Sequence, residues 1–206
     1  MRITSIKLTR LLAAGCVVTG AVSLSACISP QHYVDPTLGE TPLSTLKKPH
    51  DPQPIQLLFE FRTKGVPNSR ATMAVKPSVQ EEVAKAGLFS SVTAEPVPSG
   101  RKLTISIDNV PLDGERSKQK AFVTGLTFGL DGTTVTDNYV CTFTYLEPGH
   151  DPVSKQVHHA LYTTVGIEKA PMGLTPVPIK EGVTTVVRQV VDKGLAEIDE
   201  ASDIAQ

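Results

Sequence analysis

The sequence is poor in several residue types, and its lack of excess positive charge excludes one class of protein. It has no tryptophan, only 5% aromatic residues and 3 cysteines. Its 20 Lys and Arg residues are balanced by 21 Asp and Glu residues, so the chain lacks the excess of positive charge with which proteins bind nucleic-acid phosphates. We therefore expect no nucleic-acid partner.

A long apolar run is also missing, although a short one follows the N-terminus. Arg2, Lys7 and Arg10 precede apolar residues 11–24, and small residues come next. This order is typical of a secretory signal. Because the run is shorter than the roughly 20 residues that span a bilayer, we expect residues 1–26 to be cleaved.

The residues at the end of this segment are Leu24, Ser25, Ala26 and Cys27. They resemble the lipobox of bacterial lipoproteins, with Leu24 at the branched position, two small residues after it, and Cys27 as the lipidated residue. The resemblance implies that the mature chain begins at Cys27 and is anchored by acyl chains. It also implies the outer membrane rather than the inner one, with the chain facing the periplasm, because no Asp follows Cys27.

Cysteine usage excludes an internal disulfide in such a mature chain. Cys16 would leave with the signal and Cys27 would carry lipid, so Cys141 would have no partner. An exposed lone thiol is a liability in an oxidising compartment. We expect Cys141 to be buried as a small apolar residue.

A proline-rich stretch follows the anchor over residues 27–54. Proline fixes φ and removes a backbone donor, so we expect an extended tether there, followed by a single domain over 55–201 and a tail over 202–206. The prolines are Pro30, Pro36, Pro42, Pro49, Pro52 and Pro54.

Hydrophobic periodicity predicts the elements of this domain. Alternation over 55–61, 102–110, 139–145 and 157–165 indicates strands. The spacing of Ser78 and Glu81 after Pro77 predicts a helix ending at Gly87, and a stripe from Val183 to Ile198 predicts a second helix. The resulting order is β-α-β-β-β-α: an α+β domain with a mainly antiparallel sheet of about four strands and both helices on one face.

The corner over residues 86–92, Ala-Gly-Leu-Phe-Ser-Ser-Val, follows the first predicted helix. With the element order, it resembles the periplasmic domain of envelope-assembly lipoproteins, such as the curli-secretion lipoprotein, activators of penicillin-binding proteins and the lipopolysaccharide-assembly lipoprotein. This resemblance implies their architecture, and a fold does not dictate function.

The apolar stretch 121–130 is the candidate contact segment. As a helix it would place Gly125 and Gly129 on one face for close packing; as a strand it would lead into an Asp131-Gly132 turn. It either packs in the core or touches a membrane or a partner. The contact hypothesis names Phe122, Leu126, Phe128 and Leu130.

The sequence offers no constellation typical of an enzyme. His158 and His159 are neighbours in a predicted strand and point to opposite faces, so they cannot chelate one metal. There is no Gly-x-Ser-x-Gly motif and no glycine-rich phosphate loop. We expect no catalytic site, no metal and no cofactor.

Together these features favour an outer-membrane-anchored periplasmic lipoprotein with a non-enzymatic binding, assembly or adaptor role. Its expected partners are the membrane, through lipid on Cys27, and an envelope protein. The alternative is a carrier of a lipid or small apolar ligand held between 122–130 and the sheet.

Overall fold

A computed structural model describes residues 29–110, 133–166 and 169–202. Two helices, α1 (Ser69–Lys85) and α2 (Ile179–Ala201), accompany one seven-stranded sheet in this part of the chain. Short 3-10 turns lie at Leu43–Thr45 and Pro171–Gly173. The strands are β1 (Gln31–Val34), β2 (Ile55–Thr63), β3 (Val66–Pro67), β4 (Val92–Thr93), β5 (Lys102–Asn109), β6 (Thr133–Leu146) and β7 (Val153–Val165).

The fold is α+β as predicted, but its sheet differs from the predicted one in size and in containing parallel pairs. The order is β1-β7-β6-β5-β2-β3, and β4 also pairs with β2. β2 runs parallel to both β4 and β5, whereas all other pairs are antiparallel. The predicted number of about four strands is therefore wrong. The sheet is mixed, and most of its described pairings are antiparallel, in keeping with the predicted mainly antiparallel sheet. Strands of two to four residues are too short to show a period, and the parallel β2–β5 pair arises because α1 lies between them in the chain.

One face of the sheet forms the core because its side chains alternate as predicted. Leu57, Leu103 and Tyr145 lie side by side across β2, β5 and β6, and Ile105 lies beside Phe143. All five are buried. α1 packs against β2, α2 packs against β6 and β7, and the two helices contact each other. The sheet residues between the core positions are mostly polar, among them Thr104, Ser106, Thr142 and Thr144.

α2 crosses the sheet with its predicted apolar stripe facing inward. Val190, Leu195 and Ile198 are fully buried. A side chain at Gly194 would overlap the ring of Phe143. This interior glycine, unfavourable in a helix by itself, lets the helix backbone approach β6 closely.

α1 begins nine residues before the predicted start. Asn68 caps it, accepting a hydrogen bond from the backbone N–H of Ala71 at 3.0 Å, and Pro77 lies inside the helix. The sequence pattern predicts a start at Ser78, just after Pro77, because proline lacks the N–H that a helix interior needs. The predicted end is confirmed: Gly87 adopts φ +70° just after the last turn.

Residues 31–47, which we name the strap, lie within the predicted tether but pack on the domain. β1 pairs with β7, and Tyr33 and Leu46 are buried at 4% and 7% exposure. The predicted tether over 27–54 is therefore packed on the domain along residues 31–47. Spaced prolines exclude long regular elements, but they leave room for one short strand between them.

Candidate functional site

The strap is held to the domain body at both of its ends. At its start, β1 residues pair in register with β7, from Gln31 opposite Thr164 to Val34 opposite Leu161. At its far end the backbone N–H of Lys47 donates to Asp199 Oδ2 on α2 at 2.8 Å. The strap therefore forms one edge of the sheet through β1 and is fixed to the domain at both ends.

A polar cluster joins the middle of the strap to α2 and β7. The Arg188 guanidinium donates two hydrogen bonds to the Glu40 carboxylate, and Gln189 Nε2 donates to Glu40 Oε1 at 2.9 Å. Gln189 Oε1 lies 2.6 Å from His159 Nε2. Three separate segments of the chain therefore meet through one connected network.

His159 is the buried member of this cluster. Its Nδ1 accepts a hydrogen bond from the backbone N–H of Ala160 at 2.8 Å, so the proton lies on Nε2 and is donated to Gln189. Burial lowers the pKa of His159, against the opposing effects of Gln189 and Asp35. The ring is therefore neutral at pH 7 and acts as a fixed hydrogen-bonding group.

A second polar site lies between the two helices. Asp192 of α2 is 4% exposed, and in the part of the chain that the structure describes its Oδ1 has no hydrogen-bond partner. Burial, and then the charge of Glu82 on α1, raise the pKa of Asp192 to about 6. Glu82 itself is paired with Lys85 at 3.1 Å. Asp192 is thus an ionised group near neutral pH at a position that disfavours its charge.

A groove of about 410 Å³ lies over β2 and β5, towards the opposite edge of the sheet. We name it the β2 groove. Its walls combine apolar side chains and backbone of β2 and β5 with two cationic side chains, Arg62 and Lys76, and one anionic side chain, Glu60. The lining residues are Leu57, Leu58, Phe59, Glu60, Arg62, Lys76, Ala94, Thr104, Ile105 and Ser106.

A smaller cavity of about 200 Å³ lies at the end of the β6–β7 hairpin, beside the last turn of α2. There the Tyr145 hydroxyl donates to Glu147 Oε2 at 3.0 Å, and Arg101 pairs with Glu147. Partial burial opposes these contacts, but they outweigh it and lower the pKa of Glu147. The carboxylate is fully engaged with its neighbours, so it is a structural group.

The predicted site residues lie outside the described residues. This applies to the lipidation site, Cys27, and to the four residues of the contact hypothesis, Phe122, Leu126, Phe128 and Leu130. The described chain ends at Val110 and resumes at Thr133 on either side of the second group. The lipidation and contact predictions therefore stay predictions.

Two other predictions can be compared with the structure. Cys141 is buried as predicted, and burial raises the pKa of its thiol to about 12. His158 and His159 lie on opposite faces, one exposed and one buried. Within residues 29–110, 133–166 and 169–202, no three His, Cys, Asp or Glu side chains are arranged to hold a metal ion.

Neither α1 nor α2, the helices of the described part, combines the length and the apolar content that crossing a membrane requires.

Sequence reasoning missed both the polar cluster and the β2 groove. Glu40 and Arg188 are 148 positions apart, and no local spacing connects them. Lys76 sits before the predicted start of α1, so it was not assigned to any element. The one available signal was His159 at an inward position of an alternating strand, which predicts a buried histidine needing a partner.

Comparison with known proteins identifies no family. No protein-family model and no curated protein matches this sequence. Among solved structures, rare lipoprotein B from Shewanella oneidensis is 11% identical, covering 72% of this chain and 96% of that one at a TM-score of 0.40. A PelC dodecamer from Paraburkholderia phytofirmans is 10% identical, covering 83% and 98% at a TM-score of 0.36.

A third solved structure, a Xanthomonas campestris protein from a domain family of unknown function, is 13% identical, covering 73% of this chain and 85% of that one at a TM-score of 0.32. At these TM-scores the likenesses carry no conclusion about the function of this chain.

Proposed function

We propose that this chain is a lipoprotein anchored in the outer membrane through Cys27, facing the periplasm, with a non-enzymatic binding or adaptor role in the cell envelope. The single observation that carries the proposal is the sequence Leu24-Ser25-Ala26-Cys27 after a basic and apolar leader. Two or three acyl chains anchor a protein durably, because each buried CH₂ contributes about 0.8 kcal/mol.

Because the strap packs on the domain, the proposed anchor lies close to the folded sheet. Only three residues separate Cys27 from Gln31, where β1 begins. At about 3.3 Å per residue, four steps of chain keep the β1 end of the sheet within about 13 Å of the lipidated cysteine. The domain is thus expected to sit against the bilayer in a restricted range of orientations, instead of searching space on a long tether.

The experiment compares two cysteine variants of the full-length protein in a Gram-negative host. We expect Cys27→Ala to abolish acylation and to remove the protein from the outer-membrane fraction of a density gradient. Cys16→Ala, which changes a leader residue that plays no part in lipidation, is the matched control and should behave as the wild type. Intact-mass analysis of the N-terminal peptide reads the acyl chains directly.

An unmodified N-terminal residue, or equal membrane retention of both variants, would refute the anchor. The binding role is tested separately by crosslinking intact envelopes. An envelope protein recovered with the wild type but not with Cys27→Ala supports an anchored adaptor. The carrier alternative gains no support from the β2 groove, whose lining includes Glu60, Arg62 and Lys76.

A further inference from the structure

The middle of β2 has an unpaired outer edge in the described part of the chain. β4 pairs only with Ile55 and Gln56, and β3 pairs only with Arg62 and Thr63. Between these two short partners, Leu57–Glu60 has β5 on one side and no described strand on the other. At about 3.3 Å per residue, the gap is about 13 Å long.

The direction of the backbone groups in this gap follows from the bonds on either side of it. Ile55 N–H donates outward to the Ser91 carbonyl at 3.0 Å. Phe61 N–H donates outward to Thr72 Oγ1 at 2.9 Å. Because backbone groups alternate in direction along a strand, those of Phe59 also point outward, between two positions where this edge already binds other segments.

The β2 groove borders this gap and extends over β5, because Thr104, Ile105 and Ser106 also line it. Phe59 lines it together with Leu58, which is 39% exposed, and with Ala94, just beyond β4. The chain after β4 is held in place because Gln56 Nε2 donates to the Ala94 carbonyl at 3.0 Å. The groove therefore has fixed walls at the edge where the backbone of β2 is open.

The charges of the groove favour an acidic ligand. Arg62 and Lys76 outnumber Glu60. Arg62 Nε lies 3.3 Å from Glu60 Oε2, yet the contact lacks hydrogen-bond geometry, and this buried N–H has no hydrogen-bond partner among the described residues. A carboxylate entering the groove would supply the missing acceptor, and hydrogen bonds between charged groups are about twice as strong as neutral ones.

We propose that the β2 groove binds an extended segment of a partner protein as an added strand between β3 and β4, with an acidic side chain of that segment beside Arg62 and Lys76. Main-chain bonds to Phe59 provide the docking, as in β-augmentation generally. This proposal rests on the binding role proposed above and names its site and the chemistry of its partner. It does not depend on lipid at Cys27.

The test uses the full chain in detergent micelles and two acetylated and amidated pentapeptides, Thr-Val-Glu-Val-Thr and Thr-Val-Lys-Val-Thr. Hydrogen exchange is followed at single amides by NMR. With the acidic peptide at about ten times its Kd, exchange at Phe59 should slow about tenfold. The lysine peptide should give clearly less protection at the same concentration, and the amides of β1 should be unchanged with both.

Two substitutions sharpen the test. Ala94→Trp fills the groove and should remove the protection, whereas Ala84→Trp, at an exposed α1 position outside the groove, should leave it intact. Lys76→Glu, at a helix surface, should reverse the preference between the two peptides. If Ala94→Trp fails to fold, the peptide preference of Lys76→Glu still tests the proposal.

Unchanged exchange at Phe59 with both peptides would overturn the proposal. Equal protection by both would also overturn it, because the acidic preference is part of it. If neither peptide protects Phe59 but Cys27 is acylated, only the groove proposal is refuted. If the acidic peptide protects Phe59 but Cys27 is not acylated, only the proposed lipid anchor is refuted.

Discussion

The two edges of the sheet are built in opposite ways. At the β1 edge, the chain adds a strand from its own N-terminal segment, and the Val177 N–H then donates to the His32 carbonyl at 2.8 Å on the outer side of β1. At the β2 edge, two strands of two residues each pair with the ends of a nine-residue strand and leave its middle open. Within the described residues, the outer side of β1 is bonded to a further segment at His32, whereas the middle of β2 has no strand on its outer side.

The contrast shows that the two edges limit pairing with other chains in different ways. An open sheet edge promotes unwanted pairing with other chains, and the strap removes that hazard where the polypeptide emerges from the proposed anchor. The β2 edge is limited instead by its ends, so it admits only a short segment. This division predicts that damage to the two edges will have different consequences.

The largest expected difference comes from the same substitution at each edge. Leu46→Ala, in the strap, removes a side chain that is 7% exposed within the core, and should lower the free energy of unfolding by about 3 kcal/mol. Leu58→Ala, at the β2 edge, removes a 39% exposed side chain and should lower it by less than about 1 kcal/mol. Urea unfolding followed by circular dichroism measures both, and similar losses would refute the strap as part of the folded core.

A smaller change in the free energy of unfolding is expected from a substitution at Asp192, which lies between α1 and α2. Because the pKa of Asp192 is raised to about 6 from 3.8, the folded state binds this proton more tightly than the unfolded state. The contribution of Asp192 to the free energy of unfolding is therefore highest below about pH 4 and falls as the pH rises through 6. Asp192→Asn should stabilise the protein by about 1–2 kcal/mol at pH 7.5.

At pH 4 the stabilisation by Asp192→Asn should disappear, because Asp192 is then protonated in the wild type. Glu200→Gln, at an exposed position of the same helix, is the control and should be neutral at both pH values. A gain for Asp192→Asn that does not depend on pH would contradict the raised pKa of Asp192 as its cause. Urea midpoints at the two pH values are sufficient.

The elements that sequence predicted best are those whose own residues carry the signal. Cys141, Phe143 and Tyr145 alternate with polar residues along β6, and the predicted face is the buried one. The stripe on α2 is also buried as predicted. Each of these elements is long enough for a period to repeat, and burial of its apolar face provides most of its stability.

The elements that sequence missed are stabilised by distant parts of the chain. β1 has only four residues, and its pairing with β7 joins positions about 130 residues apart, as in the His32 Nδ1 contact to Thr163 Oγ1 at 3.0 Å. α1 continues through Pro77 because its capped start and its packing against β2 outweigh one lost helical hydrogen bond. The β2 groove is defined by absent pairing, which no local pattern encodes.

At the β2 edge, the cap of α1 provides a moderate test. Asn68 Oδ1 caps the helix, and Asn68 Nδ2 donates to Thr63 Oγ1 at 3.1 Å. Asn68→Ala should lower the free energy of unfolding by about 1 kcal/mol and speed amide exchange in the first turn of α1. Ser69→Ala, at the exposed neighbouring position, should do neither. Loss of β1 protection in Asn68→Ala would show that the two edges are coupled and do not respond separately to damage.

The smallest effect is expected at the ion pair that fastens the strap. Glu40 and Arg188 side chains are 57% and 35% exposed, so Glu40→Gln should lower the free energy of unfolding by only about 0.5 kcal/mol, as for exposed pairs in general. Its consequence should be local. Amide exchange in β1 should become faster while exchange at Phe59 stays the same, and Glu60→Gln at the other edge should leave β1 unchanged.

The pH dependence of this ion-pair effect has a definite sign. The hydrogen bond from Arg188 holds the pKa of Glu40 below its usual value of 4.5, so the pair contributes stability above that pH and loses it as the pH falls through the lowered pKa. The difference between wild type and Glu40→Gln should therefore vanish in acid, and it should shrink in 1 M salt because the charges are screened within about 3 Å. A difference in β1 exchange that persists under both conditions would mean that the Glu40 side chain holds the strap through hydrogen bonds that a glutamine amide does not reproduce, and not through its charge.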